Sequence, residues 1–351
     1  MKPVLATILS VSKESLTDEE KYLLESANPL GIALFGRNLK TKEQIKKLIK
    51  SIKEVIGRED VLIALDEEGG RVNRLLSAGF GVYASQALLS KIGQKRIIEA
   101  HAKLIATDMI EIGANFNFAP VLDLDYENTT AALKSRIFSG SPDVVAKYGK
   151  ILWQTYAKKG ICPCMKHLPG HGRATSDPHL GLPVIDCSLK DFQNDLIPFI
   201  LNKDCPAAMT AHILMPEIDD KLPMTMSSKG VQKIIRGAIG YQGFLISDAI
   251  EMKALKGSTT EKVCTSLDAG LDAVCYCMGD IEGLKEVVDT KRYLTDLSLE
   301  RFENISKILK THSSQRNVDF LKQTYYAKLN LFDEEQVDYD ATEVLFQLRK
   351  G

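Results

Sequence analysis

The chain has 351 residues, enough for one large barrel domain or for two ordinary domains. Its composition, 44% hydrophobic and 26% charged, is typical of a globular protein, and its formal net charge is only −1. A nucleic-acid partner is therefore not expected, because such proteins usually carry a basic face. No apolar stretch reaches the roughly 18 residues that would span a bilayer, so no membrane association is expected either.

The first apolar run, residues 4–11, is shorter than a secretion signal and lacks a small-residue cleavage site. It is followed by Thr17 and Glu20, whose spacing is that of a capping box at the start of a helix. We therefore interpret the run as a first strand and expect a cytoplasmic protein.

Short apolar segments rich in β-branched residues then alternate with longer helical patterns. Their continuous apolar character is typical of parallel strands that are covered on both faces. The eight predicted strands are residues 4–11, 31–35, 61–65, 115–122, 161–167, 207–213, 244–247 and 271–276.

The segments between these strands carry helix start and stop signals. Ser141 and Pro142 predict a helix start, and Gly160 predicts its end. Ser188 predicts the start of a second helix, and Ser227 or Ser228 that of a third. An apolar stripe from Ala102 to Ile112 predicts a further helix.

Eight strands alternating with helices predict an α/β protein with a single (β/α)₈ TIM-type barrel. A doubly wound sheet is the main alternative, but the sequence has no glycine-rich phosphate turn. We expect the barrel to occupy residues 1–312. Residues 313–351 are predicted to be a C-terminal helical extension packed on the barrel, with a last helical stretch at 340–349.

Seven cysteines are present, most of them in strand-like segments. Reduced, buried thiols fit this pattern better than disulfides do. The pairs Cys162/Cys164 and Cys275/Cys277 are too closely spaced for a usual zinc motif, and period-2 spacing on a strand would place each pair on one face. No metal is expected at these thiols.

Polar residues follow the predicted strands where each strand ends. In a barrel, catalytic groups lie at these carboxyl ends and in the loops that follow. The residues placed there are Asp66, Asp123, Asp125, Lys166, His167, His212 and Asp248. Their convergence at one end of the barrel predicts an active site there.

Three histidines, His167, His171 and His179, lie within thirteen residues. His167 and His171 have the spacing of two zinc ligands on a helix. Proline and glycines between and beside them make a helix improbable, so this segment, KHLPGHG at 166–172, is better interpreted as a shaped loop.

Local sequence leaves alternatives open at three positions. Asp177 could orient His179 as a general acid and base, or could simply form an Asx turn beside an exposed histidine. Lys166 could contact a ligand or only be solvated. Asp248 could be a helix N-cap or a carboxylate nucleophile.

The motif KHLPGHG at 166–172, followed by DPH at 177–179, resembles the signature loop of glycoside hydrolase family 3, and more narrowly that of its NagZ-type bacterial β-N-acetylglucosaminidases. Further motifs match in order over about residues 5–310: LFGRN at 34–38, DEEGGRV at 66–72, NFAPVLD at 117–123, RIF at 136–138, SDAIEM at 247–252 and AGLDA at 269–273.

This resemblance implies a retaining mechanism through a covalent glycosyl-enzyme. It aligns Asp248 with the nucleophile, His179 with the general acid/base and Asp177 with its carboxylate partner. It aligns a second set with binding of the terminal N-acetylglucosamine: Asp66, Arg74, Arg136, Lys166 and His167. No cofactor or metal is implied. Two positions depart from the family pattern: Pro178 replaces a common serine, and Ala249 stands where a second acidic residue is common.

The leading hypothesis is thus a monomeric exo-β-N-acetylglucosaminidase of peptidoglycan recycling. Its small-molecule substrate would be GlcNAc-1,6-anhydroMurNAc, with or without a peptide. A β-N-acetylglucosaminide phosphorylase or a β-glucosidase-like relative is the alternative enzyme. A catalytically silent sugar-binding protein is the alternative from another class.

Overall fold

A computed structural model describes residues 2–311 and 318–331 of the chain. Eight parallel strands form a closed barrel in which each strand pairs with its neighbours in sequence, and the last pairs with the first. The strands are β1 (Leu5–Ser10), β2 (Pro29–Ala33), β3 (Leu62–Leu65), β4 (Phe116–Asn117), β5 (Cys162–Leu168), β6 (Ala207–Thr210), β7 (Phe244–Ala249) and β8 (Ala273–Cys275). The predicted (β/α)₈ barrel is confirmed.

Helices cover the outside of the barrel. They are α1 (Asp18–Ala27), α2 (Lys42–Ile56), α3 (Gln86–Ile92), α4 (Lys95–Ile112), α5 (Ala131–Lys134), α6 (Pro142–Lys158), α7 (Gln193–Ile200), a π-type helix (Gly230–Ala238), α8 (Thr259–Asp268), α9 (Ile281–Asp289), α10 (Asp296–Leu309) and α11 (Val318–Leu329). No helix among residues 2–311 and 318–331 is both long enough and apolar enough to cross a bilayer.

The local signals explain where several of these helices begin and end. The Thr17 side chain and Glu20 form the predicted capping box at α1. Helix α6 starts at Pro142, and the chain after it turns at Gly160, whose φ of +87° favours glycine. The helix predicted from Ser188 starts only at Gln193, because the Ser188 hydroxyl caps a preceding turn at Asp191 instead.

The strands bury side chains on both faces, as continuous apolar runs require. On β1, Ile8 belongs to the cluster that fills the barrel interior, whereas Leu9 packs between the sheet and the helices. Strand β4 is shorter than the predicted 115–122, because Pro120 has no N–H to donate to a ladder. The Pro120 carbonyl still accepts a hydrogen bond from the Lys166 N–H of β5 at 3.0 Å, so the chain after β4 remains beside β5.

All seven cysteines are free thiols, and five of them are buried. The pairs Cys162/Cys164 and Cys275/Cys277 all belong to the inner barrel cluster. The two thiols of each pair therefore lie on the same side of the barrel wall, as their spacing predicts. All four pack in the barrel interior.

Helix α11 lies within the predicted C-terminal extension. Its buried Tyr325 hydroxyl accepts from the Ala84 N–H at 2.9 Å and lies 2.9 Å from Nδ1 of His101 on α4. His101 in turn packs against Gly69, where an added Cβ would lie 2.8 Å from its ring. The helical stretch predicted at 340–349 lies outside the described residues, and the division of the chain at residue 312 stays a prediction.

Candidate active site

The carboxyl ends of the strands surround one pocket. The eight residues that the family resemblance selected all line it: Asp66, Arg74, Arg136, Lys166, His167, Asp177, His179 and Asp248. The other strand-end residues predicted from the sequence, Asp123, Asp125 and His212, are not among those that line it. Several further side chains complete the wall, among them Phe35, Arg37, Arg71, His171, Ala249 and Glu251. The barrel thus brings together residues that are as much as 182 positions apart in sequence, from Asp66 to Asp248. Their individual roles stay predictions.

One side of the pocket is a buried ion-pair cluster, formed by Asp66, Glu68, Arg136 and Lys166. The Lys166 Nζ lies 2.7 Å from Asp66 Oδ1 and 2.5 Å from Glu68 Oε1. Arg136 binds Glu68 in bidentate fashion, with both N–O distances at 2.8 Å. This geometry fixes the cationic groups in place before any ligand arrives.

Glu68 and Lys166 stay charged in this cluster because each is paired with opposite charges. Burial alone would raise the pKa of Glu68, but the charges of Arg136 and Lys166 outweigh it and bring that pKa well below its usual range. Burial alone would likewise lower the pKa of Lys166, but Asp66 and Glu68 keep it above its usual value. Glu68 and Lys166 are therefore both charged near neutral pH. Sequence reasoning gave Glu68 no role, although it stands directly in the acidic run after β3.

Arg74 reaches the same pocket from a short hairpin. The hairpin pairs Glu67–Gly69 with Val72–Asn73, and Gly70 turns it with a φ of +58°. From the residues that follow, the Arg74 guanidinium extends to within 3.7 Å of Asp66 Oδ2. Asp66 thus lies between two cations, Lys166 and Arg74.

His167 is oriented by Asp123, a buried residue that follows β4. Asp123 Oδ2 lies 2.7 Å from His167 Nδ1, and its Oδ1 accepts the backbone N–H of His171 at 2.7 Å. Burial alone would raise the pKa of Asp123, but His167 and these hydrogen bonds lower it. The arrangement leaves Nε2 of His167 as the ring nitrogen available to a ligand. The sequence placed Asp123 at a strand end but did not identify it as the partner of His167.

His171 does not act as a second zinc ligand on a helix. Residue 168 ends β5 and the chain then turns, so the helical geometry is absent, as its glycines and proline predict. The His171 ring is buried and stacks edge-on against His167 with centroids 5.8 Å apart. Burial lowers its pKa to about 4, which keeps it neutral. Across the described part of the chain, no group of three or more metal-ligating side chains is placed to hold a metal ion.

Asp177 and His179 form a close pair on the segment between β5 and α7. We call residues 170–181 of this segment the dyad loop. Asp177 Oδ1 lies 2.7 Å from His179 Nδ1 and also accepts the His179 backbone N–H at 2.9 Å. The Asx turn and the carboxylate–imidazole pair, which the sequence offered as alternatives, are therefore both present. Burial alone would raise the pKa of Asp177, but its hydrogen bonds to His179 lower it, so the carboxylate stays ionised.

Asp248 lies on β7 and does not cap a helix. The next helix, α8, begins eleven residues later behind its own cap, Ser258, so the N-cap alternative is wrong. The Asp248 Oδ1 accepts the Ala249 N–H at 2.8 Å. Burial alone would raise the pKa of Asp248, but His167, His212 and this N–H lower it. The result is an ionised carboxylate in the pocket, as nucleophilic attack requires.

His212 supports this carboxylate from outside the pocket lining. Its Nδ1 lies 2.8 Å from the Thr225 hydroxyl, and its Nε2 lies 3.0 Å from the Ala249 carbonyl oxygen. Both ring nitrogens are therefore occupied by fixed partners. His212 orients the backbone beside Asp248 and is not free to bind a ligand through its ring nitrogens.

Comparison with known proteins identifies the family. Residues 5–307 match the glycosyl hydrolase family 3 N-terminal domain, and the chain belongs to that family. A β-hexosaminidase of Neisseria gonorrhoeae is 36% identical over 287 residues, which cover 78% of each protein. The structure of NagZ from N. gonorrhoeae with N-trifluoroacetyl-D-glucosamine superposes with a TM-score of 0.81 at 30% identity, covering 94% of this chain and 97% of that one. The predicted enzyme class, a glycoside hydrolase of the β-N-acetylhexosaminidase type, is confirmed.

A longer relative shares the fold alone. A fungal multi-domain family 3 β-N-acetylglucosaminidase has a TM-score of 0.82 at 23% identity. The alignment covers 93% of this chain but only 42% of the fungal one. The barrel is therefore the part that the two have in common.

Proposed function

We propose that the chain is a retaining exo-β-N-acetylglucosaminidase in which Asp248 is the nucleophile and His179 the general acid/base. One observation carries the proposal. An ionised carboxylate, Asp248, and a carboxylate-oriented imidazole, His179, line the same pocket as the paired cations Lys166 and Arg136. Retaining glycosidases usually use two carboxylates, and here an imidazole stands in for one of them.

In the first step, an Asp248 oxygen attacks the anomeric carbon while the bond to the leaving oxygen breaks. His179, protonated at Nε2, gives that proton to the leaving oxygen. In the second step, neutral His179 takes a proton from water, which attacks the anomeric carbon and releases Asp248. Asp177 binds Nδ1 throughout, so it fixes the tautomer and stabilises the imidazolium form.

The ion-pair cluster and its neighbours would bind the terminal sugar. Asp66 accepts hydrogen bonds from sugar hydroxyls, while Arg74, Arg136, Lys166 and His167 donate them. Because these groups are already paired and buried, they do not need to be reordered when the sugar binds.

We further propose that the substrate is GlcNAc-1,6-anhydroMurNAc, with or without a peptide, and that the enzyme acts in peptidoglycan recycling. It would act as a cytoplasmic monomer without a metal or organic cofactor. The named relatives support this assignment, since the curated relative is a β-hexosaminidase and the solved NagZ binds an N-acylglucosamine analogue. Turnover of the purified anhydro-disaccharide, compared with chitobiose, would test the substrate.

The mechanism is tested by trapping the glycosyl-enzyme. Incubation with a 5-fluoro derivative of an activated β-GlcNAc should give a covalent adduct that peptide mass spectrometry places on Asp248. The Asp248→Asn variant should give none. Hydrolysis of aryl β-GlcNAc without an adduct, or an adduct on another residue, would contradict the assignment. Sugar binding without turnover by the wild type would instead support the silent binding protein.

Phosphorolysis is a second candidate, favoured by the imidazole at the acid/base position. A neutral imidazole repels an incoming phosphate less than a carboxylate would, and Arg37 and Arg71 line the same pocket. A phosphate oxygen would then attack the anomeric carbon and release Asp248, giving a sugar 1-phosphate. Measuring that product against phosphate concentration separates the two reactions. A rate and product distribution that do not depend on phosphate would exclude this candidate.

A further inference from the structure

The start of the dyad loop is held by a polar cluster that lies outside the pocket. Arg173 Nε donates to Asp195 Oδ2 at 2.8 Å, and its Nη2 donates to the Asp191 carbonyl at 2.8 Å. The Tyr126 hydroxyl donates to the same Asp195 oxygen at 2.9 Å, and the Arg173 guanidinium lies 4.5 Å from the centre of the Tyr126 ring. A single carboxylate on α7 thus binds both the loop and the segment that follows β4.

A second contact fixes the residue just before Arg173. The Thr129 hydroxyl donates to the Gly172 carbonyl at 2.7 Å and accepts the Tyr126 N–H at 2.7 Å. Gly172 itself is pressed against the Leu124 carbonyl, where an added Cβ would lie only 1.8 Å from the oxygen. We call Tyr126, Thr129, Arg173 and Asp195 the anchor.

The anchor lies apart from the substrate-binding surface. None of its four residues lines the pocket formed by the described part of the chain. Asp195 is almost completely buried, with 1% of its surface exposed, and a buried carboxylate is costly unless it is paired. The cluster therefore fixes the backbone at residues 172–173, four positions before Asp177.

The dyad is also tethered from within. The Pro178 carbonyl, between Asp177 and His179, accepts the Ala254 N–H at 3.1 Å. Ala254 belongs to the segment that follows Asp248 and β7. The dyad loop is thus held at two places, at residues 172–173 by the anchor and at Pro178 by the segment that follows Asp248. Thr175 and Ser176, which lie between these two places, are exposed.

We infer that Arg173, Asp195 and Tyr126 are positioning residues that set the alignment of His179 with the leaving oxygen. The inference rests on the proposed acid/base role of His179. Proton transfer needs the donor within hydrogen-bond reach of the reacting atom, and a displacement of about 1 Å can cost ~10²-fold in rate. The hydrogen-bond partners of the anchor given above include none of the proposed sugar-binding residues, so loss of the anchor should weaken proton transfer more than sugar binding.

Leaving-group dependence separates this role from a general structural one. An activated aryl β-GlcNAc such as the 2,4-dinitrophenyl glycoside leaves without protonation, whereas the phenyl glycoside needs it. In Arg173→Met, we expect kcat/KM for the phenyl glycoside to fall about 10- to 100-fold. The value for the activated glycoside should stay near that of the wild type. Tyr126→Phe removes only one hydroxyl and should give a smaller change in the same direction.

Arg58→Met provides the matched control. Arg58 is also a largely buried arginine, paired with Asp60 and with the Pro29 carbonyl at the opposite end of the barrel. The Arg58→Met variant should not change how kcat/KM depends on the leaving group. If Arg173→Met and Tyr126→Phe lower kcat/KM equally for both glycosides, or leave both unchanged, the inference is wrong.

The same assay keeps this outcome distinct from failure of the proposed function. His179→Ala should show the strongest loss with the phenyl glycoside. If His179→Ala shows no dependence on the leaving group, the acid/base assignment fails. If it shows the dependence and the anchor variants do not, only the inference about the anchor fails.

Discussion

The two halves of the pocket differ in how they are built. The ion-pair cluster has a buried centre, Glu68 and Lys166, and each of its charges is paired within 2.9 Å. The dyad loop carries Asp177 and His179 on irregular backbone, with each side chain about one-fifth exposed. Under the proposed roles, sugar binding would depend on preformed ion pairs, whereas proton transfer would depend on where one loop is held.

Removing the imidazole should affect catalysis most and stability least. His179→Ala should lower kcat/KM for an unactivated β-GlcNAc glycoside by ~10²–10⁴-fold, the usual contribution of general acid–base catalysis. The urea midpoint should not change, since the side chain is partly exposed and does not support the barrel. Thr175→Ala, an exposed change in the same loop, is the control. A lowered midpoint in His179→Ala alone would show that the loop is also part of the folded core.

Breaking the ion-pair cluster should lower stability as well as sugar binding. Lys166→Met leaves Asp66 and Glu68 without their shared cation, so the free energy of unfolding should fall by ~3–5 kcal/mol. Urea denaturation measures this change. Lys21→Met, which removes an exposed pair with Asp18, should give no measurable loss. A loss no larger than that of the control would mean that the cluster is not needed for stability.

Glu67, next to the ion-pair cluster, should make the free energy of unfolding depend on pH. Burial raises the pKa of Glu67, next to the cluster, from 4.5 to about 8. Because the folded state holds this proton more tightly, its contribution to stability is complete below pH 4.5 and is lost as the pH rises towards 8. Glu67→Gln removes the titration, so unfolding free energies measured between pH 5 and 8 should vary less than in the wild type. An equal slope in both proteins would assign the pH dependence to other groups.

The smallest effect is expected at Pro178. Pro178→Ser keeps the carbonyl that accepts from Ala254 but releases the fixed φ of proline, so stability should change by less than ~1 kcal/mol. Limited proteolysis should cut the dyad loop faster than in the wild type. Pro216→Ser, in an exposed stretch after β6, controls for a general effect of losing proline. Unchanged cleavage would show that Pro178 is not what restricts the loop.

The sequence predicted the barrel well because its strands are continuous apolar runs at regular intervals. It also placed Asp66, Lys166 and Asp248 at strand ends, and resemblance to the family selected Arg74 and Arg136, which no local pattern marks. It did not predict the pairing of Glu68 with Lys166 and Arg136, or that of Asp123 with His167. Those pairings depend on distances between side chains as much as 98 positions apart, and only the closed barrel sets them.

The anchor is a second feature that the sequence does not predict. Nothing in the pattern around Tyr126, Arg173 or Asp195 indicates that one oxygen atom accepts two hydrogen bonds. The late start of α7 has a similar cause, because side-chain capping at Ser188 competes with the helical signal that the apolar spacing gives. Local propensity fixes which segments are helices and strands, and tertiary contacts decide where they begin and which side chains meet.

Helix α11 has a consequence for the order in which the enzyme becomes complete during its synthesis. The last barrel strand ends at Cys275, and Tyr325 follows 50 residues later in the chain. At the usual speed of translation this interval takes ~3–10 s. Until Tyr325 has been synthesised, Ala84 and His101 lack the tyrosine that packs behind the Gly69 turn. Under the proposed roles, the support of the sugar-binding wall is therefore synthesised after Asp248 and the dyad.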